Sequence, residues 1–232
     1  VRQVERASPA SKAFEAGDII LEVQGAEIGD DGKVAFRGTR NERIDFHYLI
    51  SKLFVGDWCD FTVLRRKRRK KLKLQLSAVC PLVRHDAPDP PQYFIVGGLV
   101  FVPLTESLLM DDFGSNFHKE APISMISQWT DGMRDSDEHE IIVLSQVLAS
   151  PSTVGFTDFF NVILHKFNGE RVKNLEHLIL MVRASKEEYF EFEIERNNII
   201  ILPRKEVLKQ TPTILKENMI SKDRSVHYQH LK

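Results

Sequence analysis

An α+β chain of two units in tandem is the fold class that this sequence predicts, on three observations. Short β-branched runs alternate with amphipathic stretches. One element order occurs twice: strand, asparagine- or glycine-type turn, amphipathic helix, then two strands. A proline-rich stretch lies between the two occurrences. The 232 residues are enough for one or two domains, and 42% apolar with 28% charged residues is globular composition.

The first unit is expected over residues 1–83. Val1 to Val4 read as the end of a strand, and the natural N-terminus is expected upstream of it. Ser8-Pro9-Ala10-Ser11 opens a short helical turn, which Gly17 closes. Ile19 to Val23 is a strand that stops at Gln24-Gly25. Residues 29–43 are polar and glycine-bearing and read as a loop. Apolar spacing from Ile44 to Leu53 predicts a helix, ended by Gly56-Asp57. Two strands follow, Trp58 to Leu64 and Leu72 to Leu76, joined by a seven-residue basic turn from Arg65 to Lys71.

Residues 84–92 hold three of the ten prolines and are the expected linker. The second unit is expected over 93–203. It opens on the apolar run Tyr93 to Val102, with Gly97-Gly98 inside it. A short helix and an acidic insertion, Asp131 to Glu140, precede a buried-type strand at Ile141 to Leu148. Val162 to Phe167 is a strand ending in the tight-turn pair Asn168-Gly169. Asn174 is placed to cap a helix through Val182, and strands at Tyr189 to Ile194 and Ile199 to Leu202 complete the unit. Residues 204–232 read as a polar, basic C-terminal tail with room for one more short helix.

Charge excludes some functions. With 32 basic and 33 acidic residues the net charge is −1, so no global field draws the chain to nucleic acid or membrane, and nucleic acid is not an expected partner. No apolar run reaches the ~20 residues of a membrane span. The two cysteines, Cys59 and Cys80, fit a reducing compartment and leave cytosol, nucleus and organelle open. No metal site and no cofactor are expected: the carboxylates Asp111, Asp112, Asp131, Asp135, Asp137 and Glu138 match no calcium-loop spacing. The run Arg65 to Lys71 reads as a solvated hairpin turn. The alternative is a nuclear or nucleic-acid-binding adaptor that uses this run.

Ser8-Pro9-Ala10, Ala16-Gly17-Asp18-Ile19-Ile20-Leu21, Gly25 and Gly56-Asp57, followed by a strand containing Arg65, resemble the PDZ domains of Deg/HtrA (DegP-like) serine proteases. Val34-Ala35-Phe36-Arg37, Asn41-Glu42-Arg43-Ile44, Tyr48 to Lys52, Tyr93 to Phe101, Ile142 to Ala149 and Phe167-Asn168-Gly169 extend the resemblance to the plant-type Deg branch. It implies two PDZ-like domains, each a small, partly open β-barrel or sandwich flanked by short helices. It also implies a parent serine endopeptidase of protein quality control, independent of ATP and built from trimers. The implied partners are unfolded or C-terminal peptide segments and the parent's own protease domain.

This chain has no Gly-x-Ser-x-Gly and no Gly-Asn-Ser-Gly-Gly string, so no catalytic residue is named. Its role is then non-catalytic: peptide binding, regulation and oligomerisation. Gly97, Gly98, Leu99, Val100 and Phe101 resemble the carboxylate-binding loop, whose successive amides would hold a peptide terminus. Val100 stands where that loop has a second glycine, so the loop is expected to be narrowed and the second unit to serve assembly more than reading. The corresponding loop of the first unit is expected upstream of Val1. Ile44, His47 and Tyr48 in the first unit, and Leu175, Leu178 and Ile179 in the second, either line a groove or pack a core.

Overall fold

The computed structural model describes residues 1–36, 39–78, 80–85 and 90–231. Arg37 of the resemblance and residues 86–89 of the expected linker lie outside them. The chain divides into two compact units: Val1–Cys80 with Met133–Asp137, and Pro81–Gly132 with Glu138–Lys232.

In the first unit a 3₁₀ turn, Pro9–Lys12, precedes β1 (Ile19–Val23), β2 (Ala26–Glu27), β3 (Lys33–Phe36), β4 (Thr39–Asp45), α1 (His47–Ser51), β5 (Trp58–Arg65) and β6 (Arg68–Gln75). Strand order is β2-β1-β5-β6, every pair antiparallel, with β3-β4 a separate hairpin. Alternation on β5 turns Cys59, Phe61 and Val63 inward onto Val23, and Phe14 sets its ring edge-on to Phe61 at 5.0 Å.

Four expectations change here. Residues 1–5 form no assigned strand, although the Val1 carbonyl accepts the Gly17 N–H at 2.9 Å. The loop over 29–43 is largely the β3-β4 hairpin, so Ile44 lies on a strand opposite Val34. The helix starts only at His47, because the Asp45 carboxylate accepts the His47 N–H at 2.8 Å and stops the strand there. The basic turn is also shorter than expected. Arg66 and Lys67, with φ of 50° and 65°, make a two-residue hairpin turn, and Arg68 to Lys71 already belong to β6. Charge on a sheet edge hides the alternation that a strand otherwise shows in its sequence.

The second unit comprises β7 (Phe94–Val96), β8 (Leu99–Pro103), α2 (Glu106–Phe113), α3 (Phe117–Glu120), α4 (Ile123–Asp131), β9 (Ile142–Val147), β10 (Val162–Phe167), β11 (Glu170–Arg171), α5 (Leu175–Ala184), β12 (Tyr189–Ile194), β13 (Asn198–Pro203) and α6 (Arg204–Glu217), with 3₁₀ turns at Pro151–Thr153, Glu195–Asn197 and Val226–Tyr228. Its antiparallel sheet runs β13-β12-β10-β9-β8-β7, with β11 hairpinned onto β10. The strand path is open in both units, an α+β arrangement with no closed barrel.

This sheet is buried on both faces. Ile142 and Leu144 of β9 enter the main core with α5, while Val143, between them, enters a second cluster with Leu109, Phe117 and Met125 of α2, α3 and α4. That explains the unbroken apolar run at 141–144. Four phenylalanines, 101, 167, 190 and 192, fill the main core with ring centroids 5.1 to 6.5 Å apart. Asn174 caps α5 as expected, accepting the His177 N–H at 2.7 Å.

In the acidic stretch 131–140 the carboxylates Asp131, Asp135, Asp137 and Glu138 are exposed, and the buried contacts come at its end. His139 is buried, and Glu140 pairs with Arg84 and donates its N–H to the Lys173 carbonyl at 2.9 Å. The largest difference lies after residue 203. The expected polar tail is a 14-residue helix whose Val207 and Ile214 are buried, and Tyr228 beyond it is 7% exposed in the main core. Val207, Thr211 and Ile214 recur at helical spacing, but the charged residues around them and Pro212 within the helix conceal that period.

Candidate peptide-binding sites

A carboxylate-binding loop needs consecutive main-chain N–H groups that are free and converge on one point. Gly97 and Gly98 do have the dihedrals for one, with φ of 58° and 93°. They use them for a two-residue turn of the β7-β8 hairpin, in which Val96 faces Leu99. Helix α6 covers this turn: the Gly97 N–H donates to Thr211 Oγ1 at 2.9 Å, and a Cβ at Gly97 would lie 3.0 Å from Val207. The Gly98 carbonyl accepts the Leu148 N–H at 2.8 Å, and a Cβ at Gly98 would lie 2.9 Å from the Leu148 oxygen. The turn is closed on both sides.

Leu99, Val100 and Phe101 lie on β8, whose two edges are taken by β7 and β9. All three are buried. Leu175, Leu178 and Ile179 share the inner face of α5 and are fully buried in the same core as Leu99 and Phe101. The structure therefore brings these second-unit candidates together, but as packing.

The first-unit candidates are more open. His47 is exposed, its Nδ1 2.6 Å from Asp45 Oδ1, and the His47 N–H, followed by this side-chain pair, holds the Asp45 carboxyl below the usual carboxylate range. Tyr48 is half-buried, with Phe36 edge-on at 5.5 Å and Lys52 Nζ 4.2 Å from its ring centroid. Ile44 is half-buried across the sheet from Val34.

One feature was invisible to motif reading. The free edge of β7 is paired with a distant segment of its own unit. Ile95 donates its N–H to the Asp223 carbonyl at 2.6 Å, Ser225 donates its N–H to the Tyr93 carbonyl at 3.1 Å, and Phe94 faces Arg224 as an antiparallel bridge. The Arg224 guanidinium lies 6.0 Å from the Phe94 ring centroid. The only sequence signal for this is the apolar–aromatic pair Val226 and Tyr228 within a polar stretch.

Among the described residues no group of three metal-ligating side chains converges, and no helix is long and apolar enough to cross a membrane.

Two small antiparallel units, each with a helix packed on an open sheet, match known domains. A PDZ-domain family model matches residues 1–76, and a second, also of a PDZ domain, matches residues 82–227, a span that includes α6. The chain belongs to the PDZ family, as a tandem PDZ region of the Deg/HtrA protease type. It is 34% identical over 226 residues to protease Do-like 2, chloroplastic, of Arabidopsis thaliana, covering 97% of this chain and 36% of that protein. It is 30% identical over 228 residues to putative protease Do-like 11, mitochondrial, of the same plant, covering 96% of this chain and 36% of that protein. It is 32% identical over 170 residues to a serine protease DegP homolog of Plasmodium falciparum (isolate 3D7), covering 73% of this chain and 18% of that protein. The chain thus spans little more than a third of the length of its plant relatives.

Proposed function

We propose that this chain is the non-catalytic, peptide-binding and regulatory part of an ATP-independent serine endopeptidase of the Deg/HtrA type, acting in protein quality control. The observation that carries this reading is that two PDZ matches fill nearly the whole chain while relatives named as proteases extend well beyond it. Hydrolysis then belongs to a protease domain outside this chain, with unfolded polypeptide as substrate. The relatives' names support a chloroplast or mitochondrial location.

The two domains divide the work. The first presents Tyr48, His47 and Ile44 to a peptide. The second, with its Gly97-Gly98 turn closed by α6, serves gating and assembly into a trimer-based homo-oligomer. Domain bounds of 1–83 and 93–203 are extended in this reading to include α6 and residues 223–228 in the second domain.

The test is binding of free-acid and amidated C-terminal peptide libraries to the chain. Micromolar binding lost in Tyr48→Ala but kept in Gly98→Pro is the expected result. Binding lost only in Gly98→Pro would make the second domain the reader. No binding at about 1 mM peptide, roughly 4 kcal/mol of affinity, would remove peptide reading from the proposal.

A further inference from the structure

The sheet of the second unit ends at β7, and an end strand presents one row of unpaired main-chain groups. Residues 223–225 take that row with the hydrogen bonds of an added antiparallel strand. Three positions on, the Tyr228 ring is anchored in the core, and the Leu231 carbonyl accepts from Arg183 Nη1 at 2.8 Å. The link to α6 runs through Met219, which is 94% exposed with φ of 56°, a left-handed conformation that costs a non-glycine residue about 1–2 kcal/mol. The segment therefore leaves α6 through a strained, exposed residue, and its hold on the domain rests on the β7 pairing and on buried Ser225 and Tyr228.

It also does not fill the space it borders. A cavity of about 530 Å³ lies among β7, the end of α5, α6 and residues 221–224, walled by Phe94, Val96, Val182, Leu208 and Leu215. Arg204 also lines it, and its Nε is buried without an acceptor. A buried donor with no acceptor is rare in a finished interior and marks where an incoming acceptor gains most.

We propose that the outer edge of β7 is a strand-addition site for extended polypeptide, and that residues 222–228 are its resident, displaceable occupant. The ligand class follows from the occupant. It is an extended segment with an aromatic residue three positions after its paired stretch, and an acceptor group able to reach Arg204. Recognition is through main-chain pairing along the segment, so it needs no free carboxylate. This rests on the reading of the chain as a peptide-binding region, and it assigns the second domain a reading site apart from the Gly97-Gly98 turn. The resident segment competes as a tethered ligand at an effective concentration on the order of millimolar, so only clients that outbid it are admitted.

A fluorescein-labelled, amidated peptide of residues 219–231 is the probe, titrated against the whole chain and its Ser225→Pro variant. Ser225 has φ of −64°, the value proline requires, so this change deletes the N–H that reaches Tyr93 without bending the backbone. The expected result is about tenfold tighter peptide binding to the variant than to the parent, and loss of that binding when the peptide carries Tyr228→Ala. Equal binding to parent and variant, with circular dichroism showing both folded, would overturn the proposal. Should the variant fail to fold, amide exchange on the unaltered chain decides. With excess peptide the Ser225 amide is expected to lose protection while the Ile95 amide keeps it. Protection unchanged at both sites at millimolar peptide would overturn the proposal. Because the probe has no free carboxylate, either outcome is independent of whether the C-terminal libraries bind.

Discussion

Asp18 is 2% exposed, and its carboxylate accepts three hydrogen bonds: from Arg65 Nε at 2.8 Å, from Arg65 Nη2 at 2.7 Å and from the Glu15 N–H at 2.9 Å. The forked Arg65 contact outweighs the cost of burial and holds this carboxyl at about 2. An unfolded Asp titrates near 3.9. The folded value is the lower one, so the stabilisation is fully present above pH ~4 and fades as pH falls toward 2. Its size is on the order of 2 kcal/mol. Asp18→Asn is expected to remove that slope, read as the difference in urea stability between pH 7 and pH 2.5. A variant retaining the parent's slope would place the acid sensitivity elsewhere. Tyr228 behaves in the opposite sense. Burial pushes its hydroxyl well above the usual range, so the unfolded chain releases this proton first, near pH 10. Stability is expected to fall above pH ~10, and less so in Tyr228→Phe. Gly97 and Gly25 make a matched pair: both have positive φ, but only Gly97 is crowded by Val207. Alanine at Gly25 is expected to cost about 1 kcal/mol and at Gly97 about 2–3 kcal/mol, and the excess measures how firmly α6 covers the turn.

At the scale of elements, the β5-β6 hairpin concentrates seven of the chain's cations in the edge strand β6 and the turn before it, yet several cations of the hairpin have partners. Arg65 and Arg66 meet Glu15, Arg69 approaches Glu22, and Lys73 meets Asp60. Such exposed pairs add little stability, but they lower the local charge open to a polyanion. The chain is therefore expected to elute from heparin at low salt, about 0.2 M or below. Strong retention that is lost on neutralising Arg66, Arg68 and Lys70 would favour the nucleic-acid adaptor instead. This hairpin also shows what a sequence displays and what it conceals. β5 was legible because Cys59, Phe61 and Val63 alternate with polar residues. The first half of β6 was not, because lysine and arginine occupy both faces of an edge strand. In the sequence only resemblance links Asp18 to Arg65; the physical reason for their pairing, a buried carboxylate held by a guanidinium, is visible only once residues 47 apart in sequence are brought together. Leu175, Leu178 and Ile179 show the limit from the other side. Periodicity places them on one helical face, but it does not distinguish a groove wall from a core.

At the scale of the whole molecule, the repeated element order announced two domains, and the family matches agree. Before the acidic insertion the sequence announced one short helix where the second domain carries three, α2, α3 and α4, and α6 is polar enough to pass for tail. If hydrolysis belongs to a domain outside this chain, the isolated chain is expected to leave a casein substrate intact over hours. Cleavage abolished by a serine-protease inhibitor would contradict that assignment.

The pairing of β7 with residues 223–225 has a consequence for how the protein is made. Tyr93, whose hydroxyl donates to the Lys222 carbonyl at 3.3 Å, precedes its partner by 129 residues. At ~5–20 residues per second, a ribosome takes roughly 6–26 s to bring the second strand after the first. For that interval the nascent second domain has its hydrophobic hairpin in place with an unsatisfied border, and any chaperone that shields emerging chains has that window in which to act. Contacts so distant in sequence also form late in folding, so residues 223–225 finish the sheet after its other strands have paired.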